Sequence, residues 1–303
     1  ELNRREVIGK VPVLVISGDH TVEVQKKCFE LGISDFIAKP FNNAIIKQRV
    51  KNTAEFFDYK LKLEDKVAEQ TNVLRKAYRT LQIQAEHLKK KNQQIIEMLG
   101  TVVEYRSTES GEHIQRVKGY TRILAEAVME DYPEYELTKE KIDIIESVSA
   151  LHDIGKIAIP DRILLKPGRL TSEEFEYMKS HTIRGCELLD SIKEDWNDDT
   201  MKYAAIFTDI LPIVKHHHER YDGKGYPDGL VGDEIPICAQ LVSVADVYDA
   251  LVNERCYKDA FSKEDAYRMI ITGECGVFSP KLMESFRKVR PAFEKLANKS
   301  FRK

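Results

Sequence analysis

The spacing of apolar and polar positions changes twice along the chain and divides it into three segments. The first is short and mixed. VPVLVIS (Val11–Ser17) is a β-branched apolar run of the length of a buried parallel strand. TVEVQKKCFELG (Thr21–Gly32) has helical spacing, a Thr placed as N-cap and a closing Gly. SDFIAKPF (Ser34–Phe41) reads as a second strand that stops at Lys-Pro. The pattern predicts a βαβ unit over residues 1–50, followed by a further helix.

The second segment, residues 51–101, is one long helix in pattern. No Gly or Pro interrupts the stretch from Asn42 to Leu99. Val67, Leu74, Leu81, Leu88 and Ile95 recur every seven residues, and Thr71, Tyr78, Ala85, Asn92 and Leu99 follow four later. Taken as d and a positions of a heptad, these form a coiled-coil seam. Asn92 at an a position predicts a parallel, in-register homodimer, because Asn pairs with its own copy there. At about 1.5 Å per residue such a helix can hold two domains well apart.

The third segment, residues 102–303, is helical throughout. Lys118–Tyr132, Glu140–Ala158, Ser172–Ile192 and Ile237–Glu254 each carry apolar residues at helical spacing. No alternating strand, internal repeat or low-complexity tract is visible. The predicted fold is mainly α: an all-helical bundle, a long coiled-coil helix and a small truncated α/β unit in front.

Composition narrows the function. At 303 residues the chain exceeds what one core usually serves. A net charge of -3 gives no basic field for a nucleic-acid polymer. The five cysteines are scattered without a CxxC pair, as in reduced cytosolic thiols, so a cytoplasmic location is expected. No signal peptide is recognised and no apolar run is long enough for a bilayer, so no membrane partner is expected. The chain begins at Glu1 rather than Met, and further N-terminal sequence is expected.

Histidine changes the picture. Of eight, six lie between His113 and His218, three of them in HHHERYDGKGYPDG (His216–Gly229). His113, the pair His152–Asp153, His181, the pair His217–His218 and Asp246 fall on successive elements. Imidazole and carboxylate donors without thiolates suit Fe, Mn, Zn or Ni. Adjacent side chains on a helix diverge by about 100°, so each member of a pair can face a different ion. Asp153 has two oxygens and can span two cations, which is the logic of a two-metal site.

With these residues in order, the chain resembles the HD-GYP phosphodiesterases, a branch of the HD hydrolase superfamily that opens cyclic di-GMP. The resemblance covers about Val102–Phe286. It rests on GEHIQRV, LHDIGKIAIPDRILLKPGRLT, MKSHTIRG, HHERYDGKGYP, IPICAQLVSVADVYDAL and ERCYKDAF. It implies an all-helical HD-domain bundle and metal ligands at His113, His152, Asp153, His181, His217, His218 and Asp246. Glu109, one turn before His113, resembles the extra ligand of relatives with a third metal. Two or three divalent ions are implied, Fe first, then Mn, with Ni, Co or Zn as alternatives. Lys156, on nearly the same helix face as Asp153, resembles the lysine facing the scissile phosphate. Arg255 and Lys258 match positions that clamp phosphates, and Tyr226 is expected to touch the ligand or a partner. The implied reaction is hydrolysis of cyclic di-GMP by a metal-bridging hydroxide to linear pGpG, with further cutting to GMP left open. Two alternatives remain open at this point: a cyclic di-GMP sensor that displays its GYP loop to a diguanylate cyclase with little turnover, and a hydrolase of cyclic GMP-AMP.

The N-terminal segment resembles the C-terminal half of a response-regulator receiver domain. Ser17 matches the switch hydroxyl, Phe36 the switch aromatic, and Lys39 the lysine before a proline that is often cis. The strands that would carry the acidic pair and the phospho-acceptor are absent, so this unit is expected to act as a remnant that caps the helix. Cys256 stands where a Pro is common, and Ser279 where an Asp is common. The span from His181 to His217 looks long and predicts an insertion beside the site. His216 matches no motif position, and His20 and His87 are expected to be structural.

Overall fold

The computed structural model describes residues 10–107, 111–194, 210–254 and 260–299. Glu109, Arg255, Lys258, Cys256 and most of the expected insertion lie outside the described residues. The chain divides into two compact units, Glu1–His87 and Leu88–Lys303.

In the first unit β1 (Leu14–Ser17) and β2 (Asp35–Ala38) pair in parallel, from Leu14↔Asp35 to Ser17↔Ala38, joined through α1 (Val22–Glu30). Phe36 and Ile37 are buried, and the Asp35 carboxylate receives Arg49 at 3.0 Å. The Lys39–Pro40 peptide is cis. Helix α2 (Asn43–Arg106) then runs unbroken through the boundary between the units. On the single chain the seam residues Val67, Leu74 and Leu81 are all exposed.

The second unit is an α-bundle. Its core is built from α3 (Gly111–Asp131), α4 (Lys139–Ser149), α9 (Ile237–Val252) and α11 (Pro280–Ala297). Helix α9, ICAQLVSVADVYDALV, is apolar nearly all round and is buried accordingly. The Tyr120 ring of α3 stacks on Phe293 of α11 at 4.7 Å and meets Tyr248 of α9 edge-on at 5.1 Å. This aromatic packing fixes α3 and α9, which carry His113 and Asp246. The short α5 (Asp161–Leu164), α6 (Ser172–Lys179), α7 (His181–Glu194), α8 (described over 210–216) and α10 (Lys263–Thr272) surround it. No described helix is long and apolar enough to cross a membrane.

Two long helices expected from the pattern are broken. The stretch Glu140–Ala158 leaves α4 after Ser149, turns through His152–Asp153, and continues as a short 3₁₀ helix, Ile154–Ala158. Ser172–Ile192 is split at Ser180 into α6 and α7. A close contact lies at each break. Gly155 presses against the start of α7, where a Cβ would lie 1.8 Å from the His181 carbonyl oxygen and 2.6 Å from the Gly185 nitrogen. At Ser180 the side chain bonds back to the Tyr177 carbonyl at 2.6 Å. The divergence of His152 and Asp153 therefore comes from a turn, not from the regular helix that the spacing predicts.

Candidate metal centre

Five elements converge on one point. His152 and Asp153 stand in the turn after α4, His181 opens α7, and His217 and His218 stand in the turn after α8. His113 lies in the first turn of α3, and Asp246 lies in α9. His113, His152, Asp153, His181 and His217 are all buried.

The outer nitrogens of these rings are tied to fixed acceptors. His152 Nδ1 lies 2.8 Å from the Ser149 carbonyl, and His181 Nδ1 2.8 Å from the Met178 carbonyl. His217 Nδ1 lies 3.0 Å from the Ile213 carbonyl. A carbonyl only accepts, so each Nδ1 carries the hydrogen and each Nε2 is the ring atom left to face the centre. His113 Nδ1 faces Asp249 Oδ2 at 2.8 Å, with the same consequence. An acceptor holding the far nitrogen is the usual support of a metal-ligating imidazole.

The Nε2 atoms point inward. Nε2 of His152, His181 and His217, and Oδ1 of Asp153, are buried without a hydrogen-bond partner among the described residues. They form two groups. Asp153, His181, His217 and His218 each offer a ligand atom within 4.8 Å of the others, and so do Glu104, His113 and His152. Asp153 spans both groups. Its Oδ1 lies 3.1 Å from His181 Nε2 and 3.7 Å from His217 Nε2, and its Oδ2 lies 3.2 Å from His152 Nε2. Asp246 Oδ1 lies 3.7 Å from His113 Nε2 and 3.9 Å from His152 Nε2. Buried, inward-aimed donors of this kind fit divalent cations.

The electrostatics agree. Burial holds His217 below the ordinary imidazole range, and His218 well below it with help from His217 and His181. Both are therefore neutral, as ligands must be. For His152 burial also pulls downward, but Asp153, then Asp246 and Glu104, prevail and push it up to about 10. Burial would raise Asp153, but Lys156 and His152 hold it well below the usual carboxylate range. The carboxylates thus set up a field that favours positive charge at the point where the rings converge.

The HD domain family profile matches residues 77–275. The chain belongs to the HD-domain family. Its HD pair is His152–Asp153, and its HHERYDGKGYP segment places it in the HD-GYP branch. A Thermotoga maritima relative, "Cyclic di-GMP phosphodiesterase", is 34% identical over 94% of this chain and 74% of its own length. A Vibrio cholerae relative, "Probable cyclic di-GMP phosphodiesterase", is 34% identical over 91% of this chain. The chain spans 60% of that protein's length. A second Vibrio cholerae relative, "3'3'-cGAMP-specific phosphodiesterase 2", is 38% identical over 65% of this chain and 34% of its own length.

In this HD domain the GYP loop is anchored by Glu219, which no sequence motif singles out. Glu219 is buried and its carboxylate accepts three backbone N–H groups, from Asp228 at 2.7 Å, Gly229 at 3.1 Å and Leu230 at 3.1 Å. Gly225 passes so close that a Cβ would lie 2.3 Å from the Glu219 Cα. The loop carries Tyr226 onto the His218 ring, stacked at 4.7 Å. Tyr226 thus reaches the rim of the centre. His216, which matches no motif position, is partly buried, with Nδ1 3.8 Å from both Glu219 Oε1 and Asp228 Oδ2. Replacing Glu219 with Gln puts an NH₂ against backbone donors and is expected to cost about 2 kcal/mol. Faster hydrogen exchange at the amides of Asp228, Gly229 and Leu230 would report it, and unchanged protection would contradict the anchor.

Lys156 lies 2.6 Å from Asp153 Oδ2. Three further residues support the centre and were not singled out by motif. Asp249 receives Arg116 through Nε at 2.6 Å and Nη2 at 3.0 Å while it holds His113. Asp249 stands one turn after Asp246 on α9, and that spacing was the available signal. Glu104, in the last turn of α2, is buried in the group with His113 and His152.

Proposed function

We propose that this chain hydrolyses cyclic di-GMP to linear pGpG, in the cytoplasm, at the centre formed by His113, His152, Asp153, His181, His217, His218 and Asp246. The observation that carries it is Asp153, whose two oxygens face two separate groups of imidazoles while Lys156 lies beside them. Two groups sharing one carboxylate suit two divalent cations, with Fe the first choice and Mn the second. When bound, such ions polarise a phosphodiester oxygen and acidify a water molecule.

The chain's own groups do the rest. His181 and His217 hold Nδ1 on their carbonyls, which turns Nε2 inward, and His152 is held the same way but would release its Nε2 proton when a cation binds. Lys156 sets a cation where charge builds on the phosphoryl oxygens. Tyr226, held on His218, forms one wall for the dinucleotide. Arg255 and Lys258 are assigned to the ligand's phosphates by their motif positions. Glu109 is assigned as the ligand of a third ion.

The test is turnover. Protein purified anaerobically and loaded with Fe or Mn should convert cyclic di-GMP to pGpG, followed by chromatography. A loaded protein that binds cyclic di-GMP without forming product would show a sensor. The similarity to a relative named for cGAMP calls for cyclic GMP-AMP as the parallel substrate. Faster turnover of that dinucleotide would reassign the substrate.

The seam of α2 supports a parallel homodimer, since Val67, Leu74, Leu81, Leu88 and Ile95 are exposed on the single chain. Light scattering at micromolar concentration should give twice the chain mass. The GYP loop, at the rim of the site, is the surface proposed for contact with a diguanylate cyclase.

A further inference from the structure

The last turn of α2 enters the metal centre. Along most of the helix the side chains are exposed, but Gly100, Val103 and Glu104 are buried on one face. Gly100 allows the helix to touch the end of α4, where a Cβ would lie 2.3 Å from the Ala150 carbonyl oxygen. One turn later Glu104 is 1% exposed, a degree of burial rare for a glutamate without a positive partner or a metal. It offers a ligand atom within 4.8 Å of those of His113 and His152. Its Oε2 receives the Ser107 hydroxyl at 3.1 Å, and its Oε1 lies 3.8 Å from Lys156 Nζ. Two residues on, Arg106 holds the turn that follows the HD pair. Its guanidinium donates to the carbonyls of Lys156 at 3.2 Å, Ile157 at 2.6 Å and Ile159 at 2.9 Å, and to Asp161 Oδ1 at 2.7 Å.

These contacts do different things, yet all come from seven consecutive residues of the helix that also carries the seam. We propose that Glu104 is a ligand of the cation at the His113–His152 end of the centre, with Arg106 as the positioning residue that holds the HD turn against it. The metal site is then built partly by α2. A helix slide of one residue, about 1.5 Å, would withdraw a ligand, because a metal–carboxylate bond tolerates only a few tenths of an ångström. The inference rests on the reading of the His and Asp groups as a divalent-cation centre, and it assigns one end of that centre to the helix.

The experiment is Mn²⁺ titration of metal-free, full-length protein, followed by calorimetry and by the electron paramagnetic resonance of free Mn²⁺. Wild type should bind at least two Mn²⁺ per chain. Glu104→Gln should leave binding at the Asp153–His181–His217–His218 end unchanged and weaken the other by tenfold or more. Arg106→Gln should weaken the same end by a smaller factor. Glu104→Asp should fall between Glu104→Gln and wild type, and it decides the question if Glu104→Gln does not fold. A merely structural role, or a pairing with Lys156 alone, would lower the melting temperature or turnover while leaving Mn²⁺ count and affinity as in wild type. That result would overturn the proposal. If wild type itself binds no Mn²⁺ or Fe²⁺, the metal-centre reading fails with it, so the two failures are distinguishable.

Discussion

Asp153→Asn should lower kcat for cyclic di-GMP by about 10³-fold or more, equivalent to about 4 kcal/mol of transition-state stabilisation. The substitution keeps the shape of the side chain and removes one of the two carboxylate oxygens proposed to bind the cations. In the native site Oδ1 faces His181 and Oδ2 faces His152 and Lys156. An Asn amide offers one oxygen, and its NH₂ cannot bind a cation. Whichever way the amide turns, one group of imidazoles loses the ligand it shares with the other. Metal content should fall by about one ion per chain when measured by mass spectrometry of anaerobically purified protein. KM should change less than kcat, because the loss falls on charge that develops in the reaction. A variant that keeps its full metal load and turns over within tenfold of wild type would show that Asp153 is not the shared ligand.

How much of this centre was legible in the chain depends on what each residue needs. His152–Asp153, His181 and His217–His218 stand in dense local strings, and their chemistry is uncommon, so composition and order alone singled them out. Tyr226 and the loop glycines were visible for the same reason. Glu104 was not. It lies near the end of a helix rich in Glu, Lys and Gln, where one more acid reads as solvated surface, and only the fold shows that its turn is buried. Asp249 and Glu219 were hidden differently, because each acts through another group: one holds the His113 ring, the other three backbone amides. Helical periodicity found the bundle but overran its breaks at Ser149 and Ser180. Gly155 meets the start of α7 beside those breaks, the two are distant in sequence, and no local pattern records such an approach. Asn92 and the heptads carry the expectation of a dimer, and among the described residues Val67, Leu74, Leu81, Leu88 and Ile95 are exposed on the single chain.

Gly155→Ala tests that contact and should have the largest effect on stability. The added Cβ would lie 1.8 Å from the His181 carbonyl oxygen and 2.6 Å from the Gly185 nitrogen, and both are backbone atoms that no rotamer change can move. The 3₁₀ turn and α7 must separate. Overpacking of a tight contact typically costs about 1–3 kcal/mol, and a clash with main chain belongs at the upper end or beyond it. For a unit of this size about 3 kcal/mol corresponds to a melting temperature lower by about 6–12 °C, readable by scanning calorimetry. The separation also draws His181 Nε2 away from Asp153 Oδ1, which lie 3.1 Å apart. Metal should therefore be lost first from the Asp153–His181–His217–His218 group, while the His113–His152 end retains its ion. This is the reverse of the pattern expected for Glu104→Gln, so the two variants together locate each ion. Gly18→Ala is the control, since a Cβ there meets nothing within 4 Å, and its melting temperature and metal content should match wild type. If Gly155→Ala behaves like Gly18→Ala, the close approach of the HD turn to α7 does not hold the site together.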